Sequence, residues 1–247
     1  MKGLLFQVTL REDSEYLLQC LKKYESVARD AAISISGGID SSVLFYLFRD
    51  IVNPYTAGVD NSKDMGYSKL ICNELGKKLT EIKLNVEVVT EFHDIVKKID
   101  PNIENVDVGF ETVLAVVLGN IREDSIITGQ GADEIFYGYA KFQDGRDRDN
   151  SLSLKKLKEI TLPRELKLAK YFGKTLIAPY LDHEIEKRFS SLSLDYHSKC
   201  GLNKCIIREC ANMLGIPKEV VERPKKAAQY GSGIMKILNS SNRVRYK

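Results

Sequence analysis

Seven consecutive residues, Ser36-Gly37-Gly38-Ile39-Asp40-Ser41-Ser42, put two glycines, three hydroxyls and a carboxylate where an apolar run gives way to helical spacing. The glycines let backbone approach a ligand closely, and the hydroxyls of Ser36, Ser41 and Ser42 can donate to phosphate oxygens. A helix start adds unpaired N–H groups at its positive end. This is the chemistry of an anion cradle. It has no Walker-type lysine to reach a terminal phosphate, and Asp40 would repel phosphate unless a cation stood between them, for which Mg²⁺ is the natural choice. A second stretch, Gly129-Gln130-Gly131-Ala132-Asp133-Glu134, again offers glycines, helix-start amides and a carboxylate. Asp133 is the second oxygen ligand expected for the same metal.

The elements that must position these groups follow from local pattern. Apolar positions at helical spacing predict an amphipathic helix over Ser14 to Arg29. Short β-runs are predicted at Ala31 to Ser36, Tyr55 to Val59, Ile82 to Val89 and Ser125 to Thr128, with helices over Ser41 to Arg49, Lys63 to Lys77, Phe92 to Ile99 and Glu111 to Ile121. Alternating strand and helix imply an α/β fold with a parallel twisted sheet flanked by helices. Both glycine breaks then follow the carboxyl end of a strand, the edge at which open parallel sheets bind ligands. From residue 141 on, the pattern reads as a helical lobe, entered through a charged loop, Phe142 to Asn150, expected to close over the site. The whole of 1–247 reads as one domain, with the nucleotide-binding part in 1–140.

Bulk properties narrow the classes. The chain has 247 residues, 43% hydrophobic and 29% charged, an ordinary globular composition with a core of useful size. Thirty-seven basic against 34 acidic residues is too small an excess to predict a nucleic-acid partner. No apolar run reaches the roughly 18 residues of a membrane span and no signal peptide is evident, so a cytoplasmic, non-membrane protein is expected. Five cysteines form no disulfide framework, and reduced thiols packed in the core are expected, Cys200, Cys205 and Cys210 included, because five-residue spacing on a helix separates their faces.

SGGIDSS, followed at a distance by GQGADEIFYGY, resembles the asparagine synthetase family of PP-loop ATP pyrophosphatases, an adenine nucleotide alpha hydrolase-like fold. The tail Phe136-Tyr137-Gly138-Tyr139 makes the second motif the more specific. Arg164 and Gly173, the stretch Ala178-Pro179-Tyr180-Leu181-Asp182, and Arg223-Pro224-Lys225 extend the similarity, which covers Leu17 to Gly233. The resemblance implies a ligase in two steps. A carboxylate, with aspartate the expected substrate, attacks the α-phosphorus of ATP and releases pyrophosphate; ammonia then displaces AMP to give asparagine. It implies nucleotide binding by Ser36, Gly37, Gly38, Asp40, Ser41, Ser42, Gly129 and Gly131, with adenine near Ala57, Gly58 and Val59. Mg²⁺ would sit on Asp40 and Asp133, Lys225 would act as a mobile cation at the α-phosphate, and Glu104 would take up the proton lost from ammonia.

Three positions depart from the family pattern. Val108-Gly109-Phe110-Glu111-Thr112 stands where a threonine-rich stretch ending in arginine helps select aspartate. Gln130 replaces a glutamate between the glycines, and Ile177 replaces an arginine. Glutamine-using members begin with a glutaminase domain, whereas Met1-Lys2 leads almost directly into the synthetase part. Ammonia is therefore expected from solution or from a separate glutaminase subunit, and an oligomer is compatible with the sequence. Two alternatives stay open: a PP-loop enzyme that adenylates a nucleotide in tRNA modification, and a non-catalytic nucleotide-binding subunit of a glutaminase complex.

Overall fold

The run Ala31 to Ile35 has no charge and alternates which side it buries, so it can form a strand only where both faces are covered. The computed structural model, which describes residues 2–144, 146–223 and 228–245, places it there as β1 (Ala32–Ser34), the middle of a five-stranded sheet. Its neighbours are β2 (Asn53–Gly58) and β4 (Ser125–Ile127), flanked by β3 (Thr80–Lys83) and β5 (Thr175–Ile177), in the order β3-β2-β1-β4-β5 with every pairing parallel. The expected parallel α/β fold is the observed one.

The pleat divides the core in two. Ile33 and Ile127 join a cluster with Leu17, Leu21, Phe45 and Ile206, whereas their neighbours Ala32 and Ile126 join one with Val96, Val116 and Leu168. Ile33, Ile126 and Ile127 are each fully buried, and each such side chain contributes roughly 2 kcal/mol over an exposed one. The helices Lys2–Lys22, Ile39–Phe48 and Cys205–Met213 supply the first cluster; Val86–Ile99, Asn105–Asn120 and Leu162–Tyr171 supply the second.

Strand order carries the functional consequence. From β1 the chain moves outward to β2 and β3, then returns to the other side of β1 for β4 and β5. The direction of winding reverses between β1 and β4, which opens a crevice at their carboxyl ends. The loop of residues 35–38 leaves β1 there, and residues 128–131 leave β4 there.

Several boundaries differ from expectation for local reasons. The segment predicted as a strand to Val89 turns helical at Val86, because the Asn85 side chain caps the helix by accepting from the Val88 amide at 2.8 Å. The first helix extends back to Lys2, breaks after Lys22 and resumes over Glu25–Ala28. β5 lies within the part expected to be helical, so that part completes the sheet as well as covering it. The stretch Phe142 to Asn150 is pinned at both ends: Phe142 is buried against the Tyr137 ring, and buried Asn150 donates to the Glu134 carbonyl at 2.9 Å.

Candidate nucleotide-binding site

The first glycine motif is a self-braced loop. The Ser42 hydroxyl donates to the Gly38 carbonyl at 2.8 Å and the Ser41 hydroxyl to the same oxygen at 3.1 Å, while the Gly38 amide donates to Ser36 Oγ at 3.3 Å. Gly37 is left-handed at φ 64°, and a Cβ there would lie 2.2 Å from that of Tyr67. Its lack of a side chain therefore serves packing against the Lys63–Glu74 helix, and Gly37 and Ser42 stand behind the cleft wall. Ser36, Gly38, Asp40 and Ser41 line the cleft itself, which has a volume of about 210 Å³.

The second motif faces the first. Gly129, Gln130 and Asp133 line the same cleft. Gly131, at φ 92°, turns the chain into the Ala132–Ile135 helix against Leu181. The two sequence motifs thus form one site at the winding reversal, with Asp40 and Asp133 sharing it. Ala57 also lines the cleft, at the end of β2, whereas Gly58 and Val59 lie against Ser62 and Gly233 beside it.

A lysine absent from the sequence expectation joins the carboxylates. Lys204 Nζ lies 2.7 Å from Asp40 and 2.6 Å from Asp133. Its side chain is 1% exposed, so the charge is desolvated and held by ion pairing. Lys204 adopts a left-handed backbone (φ 60°) immediately before the Cys205–Met213 helix. The approach also requires Gly138, where a Cβ would lie 2.0 Å from the Asp133 carboxylate and 2.1 Å from Lys204 Cε. This accounts for the glycine in the aromatic tail of the second motif.

The turn that delivers Lys204 is closed by a disulfide between Cys200 and Cys205, with Cα atoms 5.7 Å apart. The expectation of five reduced thiols is corrected here. Cys200 lies in the turn ahead of the helix, so helical spacing does not govern the pair; Cys20, Cys72 and Cys210 are free and buried.

Arginines brace the loops. Arg223 donates to the Ser36 carbonyl at 2.7 Å and to Asp64 at 2.7 Å, and stacks on the Tyr67 ring at 4.2 Å. Arg208 donates through Nε to the Asn203 carbonyl at 2.7 Å and through a second nitrogen to that of Val221. Arg208, Asn203, Asp64 and Glu165 also line the cleft and were not singled out from sequence as site residues. Only the resemblance pointed to Arg223. Lys204 and Arg208, four apart at a helix start, carry a weak local signal, but nothing local announces their partners.

The structure does not bring Glu104 to the cleft. Its side chain is 66% exposed and lies 2.9 Å from Lys156, whose hydrogen bond holds the carboxyl below its usual range. Lys156 also meets buried Asp107 at 3.1 Å. Lys225 lies outside the described residues.

A parallel sheet whose winding reversal carries two glycine-braced helix starts and a converging pair of carboxylates defines a nucleotide-binding α/β protein. The chain belongs to the asparagine synthase family, whose model matches residues 17–174 and 151–244. It is 29% identical over 284 residues to a protein of Methanocaldococcus jannaschii assigned as glutamine-hydrolyzing asparagine synthetase 1, covering 92% of this chain and 51% of that one. It is 26% identical to the glutamine-hydrolyzing asparagine synthetase of Bos taurus, covering 91% of this chain and 43% of that protein. The chain thus spans about half the length of these relatives. Among solved structures, NMN synthetase from Francisella tularensis aligns over 91% of this chain and 78% of its own, with a TM-score of 0.49 and 15% identity. No helix among the described residues is long and apolar enough to cross a membrane.

Proposed function

We propose that this chain is the synthetase part of an amide-forming ligase that cleaves ATP to AMP and pyrophosphate. A carboxylate oxygen attacks the α-phosphorus, the bond from that phosphorus to the bridging oxygen breaks, and pyrophosphate leaves. Ammonia then attacks the acyl carbon and AMP departs. The observation that carries the reading is the convergence of Asp40 and Asp133, one from each glycine motif, on a single cationic point at the winding reversal. Family membership supports the same chemistry.

The chain's own groups suit this task. Amides at the start of the Ile39–Phe48 helix and the hydroxyls of Ser36 and Ser41 would hold the phosphates. Ala57 and Ile35, which line the cleft at the ends of β2 and β1, would flank the adenine, with Gly58 and Val59 beside them. Lys225, by its likeness to the family lysine, would meet charge at the α-phosphate as the bond breaks. Arg223 holds the Ser36 carbonyl and so fixes the loop those phosphates would meet.

The donor set fits magnesium. Lys204 shows that both carboxylates already converge on one cation position, and magnesium is commonly bound by one or two carboxylates together with substrate phosphates and water. Among the described residues no group of three His, Cys, Asp or Glu side chains forms a metal cage, so the phosphates would complete the coordination. Asp40 and Asp133 would hold the ion, which when bound would neutralise charge on departing pyrophosphate.

Aspartate is the acyl substrate first to be tested, with ammonia from solution or a glutaminase subunit as nitrogen source. Exchange of labelled pyrophosphate into ATP should require a carboxylic acid and should be lost in Asp40→Asn. Exchange without any acid, or undiminished exchange in that variant, would overturn the reading.

A further inference from the structure

The cleft wall away from the glycine motifs has an unusual composition. Phe110, Val113 and Leu114, from the Asn105–Asn120 helix, give it an apolar face, and Glu165, from the helix packed beside it, adds a carboxyl. Glu165 is 3% exposed, yet its Oε2 has no hydrogen-bond partner. An unpaired buried carboxyl is costly and calls for a partner of its own.

The neighbouring cations are committed elsewhere. Arg164 is held by Asp100 at 2.8 Å and Glu111 at 3.0 Å. Lys204, Arg208 and Arg223 are engaged by Asp40 and Asp133, by Asn203 and Val221, and by Ser36 and Asp64. Arg164 and Lys156 are shared by Asp100, Glu104, Asp107 and Glu111, and neither reaches Glu165 Oε2. A second substrate carboxylate seated at Glu165 would therefore meet another carboxyl and not a cation.

We infer that the carboxylic acid activated in this cleft carries an amine, its ammonium group seated on Glu165 and its carbon chain lying on Phe110, Val113 and Leu114. This rests on the ligase reading for the fate of the acid's other end. It names an amino acid with a single carboxylate in preference to a dicarboxylic acid.

Binding would have a proton signature. Burial first, then the charges of Glu111 and Glu134, push the Glu165 carboxyl well above its usual range, with Arg164 pulling the other way. An ammonium group seated beside it would favour the charged form and pull that carboxyl back down, so a proton held there would be released on binding.

The test is calorimetric titration of the full chain, with Mg²⁺ and α,β-methylene ATP present, using 6-aminohexanoate, hexanoate, adipate and aspartate. The amino acid should bind at least tenfold more tightly than adipate or aspartate. Its binding enthalpy should vary with the ionisation enthalpy of the buffer, reporting proton release, while that of hexanoate should not. Glu165→Gln, which preserves volume, should abolish both the preference and the buffer dependence and leave hexanoate affinity unchanged. Equal binding of adipate or aspartate by the wild-type protein, no binding of the amino acid, or a preference that survives in Glu165→Gln would each overturn the inference. Pyrophosphate release separates it from the ligase reading: aspartate-driven release without amine preference removes this inference alone. Amine preference without pyrophosphate release from any acid removes the ligase alone.

Discussion

The ammonium nitrogen of Lys204 lies 2.7 and 2.8 Å from the two carboxylate oxygens of Asp40, across 164 residues of chain. With Asp133 at 2.6 Å, this lysine ties both glycine motifs to the helix at Cys205–Met213. It makes the later half of the chain a structural part of the nucleotide site.

Removing that cation should therefore cost stability as well as activity. Lys204→Met leaves two largely buried carboxylates without it, and a loss of about 3 kcal/mol is expected. Urea unfolding should show it, and millimolar Mg²⁺ should restore part of the loss by binding the same carboxylates. Gly138→Ala, whose Cβ would collide with Lys204, should reproduce the defect.

Gly37 tests the bracing of the first loop. Alanine there meets both a left-handed backbone and the Tyr67 Cβ at 2.2 Å, and should destabilise the fold by about 2 kcal/mol or more. Gly38→Ala, with Ser36 Oγ as its nearest contact at 3.2 Å, should be tolerated better in thermal unfolding while weakening ATP binding. Equal melting temperatures for the two variants would contradict this division of roles.

Stability should fall as pH rises from about 6.5 to 8. Burial pushes the Glu111 carboxyl up to about 8 despite Arg164, so across this window the native state keeps a proton that the unfolded chain releases. Each such proton gives a slope of at most about 1.4 kcal/mol per pH unit. Below that window the trend levels off, because burial lowers the His197 pKa to about 4: the unfolded chain gains a proton there as pH falls, which offsets the proton that Glu111 keeps in the native state. Glu111→Gln should make the slope between about pH 6.5 and 8 shallower and, by leaving His197 without that offset, make stability decline more steeply as pH falls below about 6.5, as followed by denaturant midpoints.

Much of the site was legible because its parts are local. A strand, two glycines and a helix start occupy consecutive residues, so both motifs and their shared sheet edge could be placed from pattern. β5 escaped because Thr175–Ile177 is a three-residue, half-buried edge strand set between helices, too short to show alternation. The strand over-extended toward Val89 failed through its valines, which read as β until the Asn85 cap sets Val89, Phe92 and Val96 on one helical face. Lys204 and Glu165 were hidden for another reason: their significance lies in burial and in partners brought together by the fold. Glu104 shows the converse, a carboxylate suggested by resemblance that the structure places on Lys156 at the surface.

The roles of Glu104 and Lys225 can be separated. Glu104→Gln should change pyrophosphate release less than tenfold, since the side chain stands outside the cleft. Lys225→Ala should reduce it a hundredfold or more, about 3 kcal/mol of transition-state stabilisation. Single-turnover rates with saturating ATP check both.

The most direct measurement is the identity of the nucleotide product when the protein turns over ATP with Mg²⁺, ammonium and a panel of carboxylic and amino acids. AMP and pyrophosphate in equal amounts, dependent on the acid and absent in Asp40→Asn, is the predicted result. ADP and phosphate, or turnover unaffected by Asp40→Asn, would contradict the account.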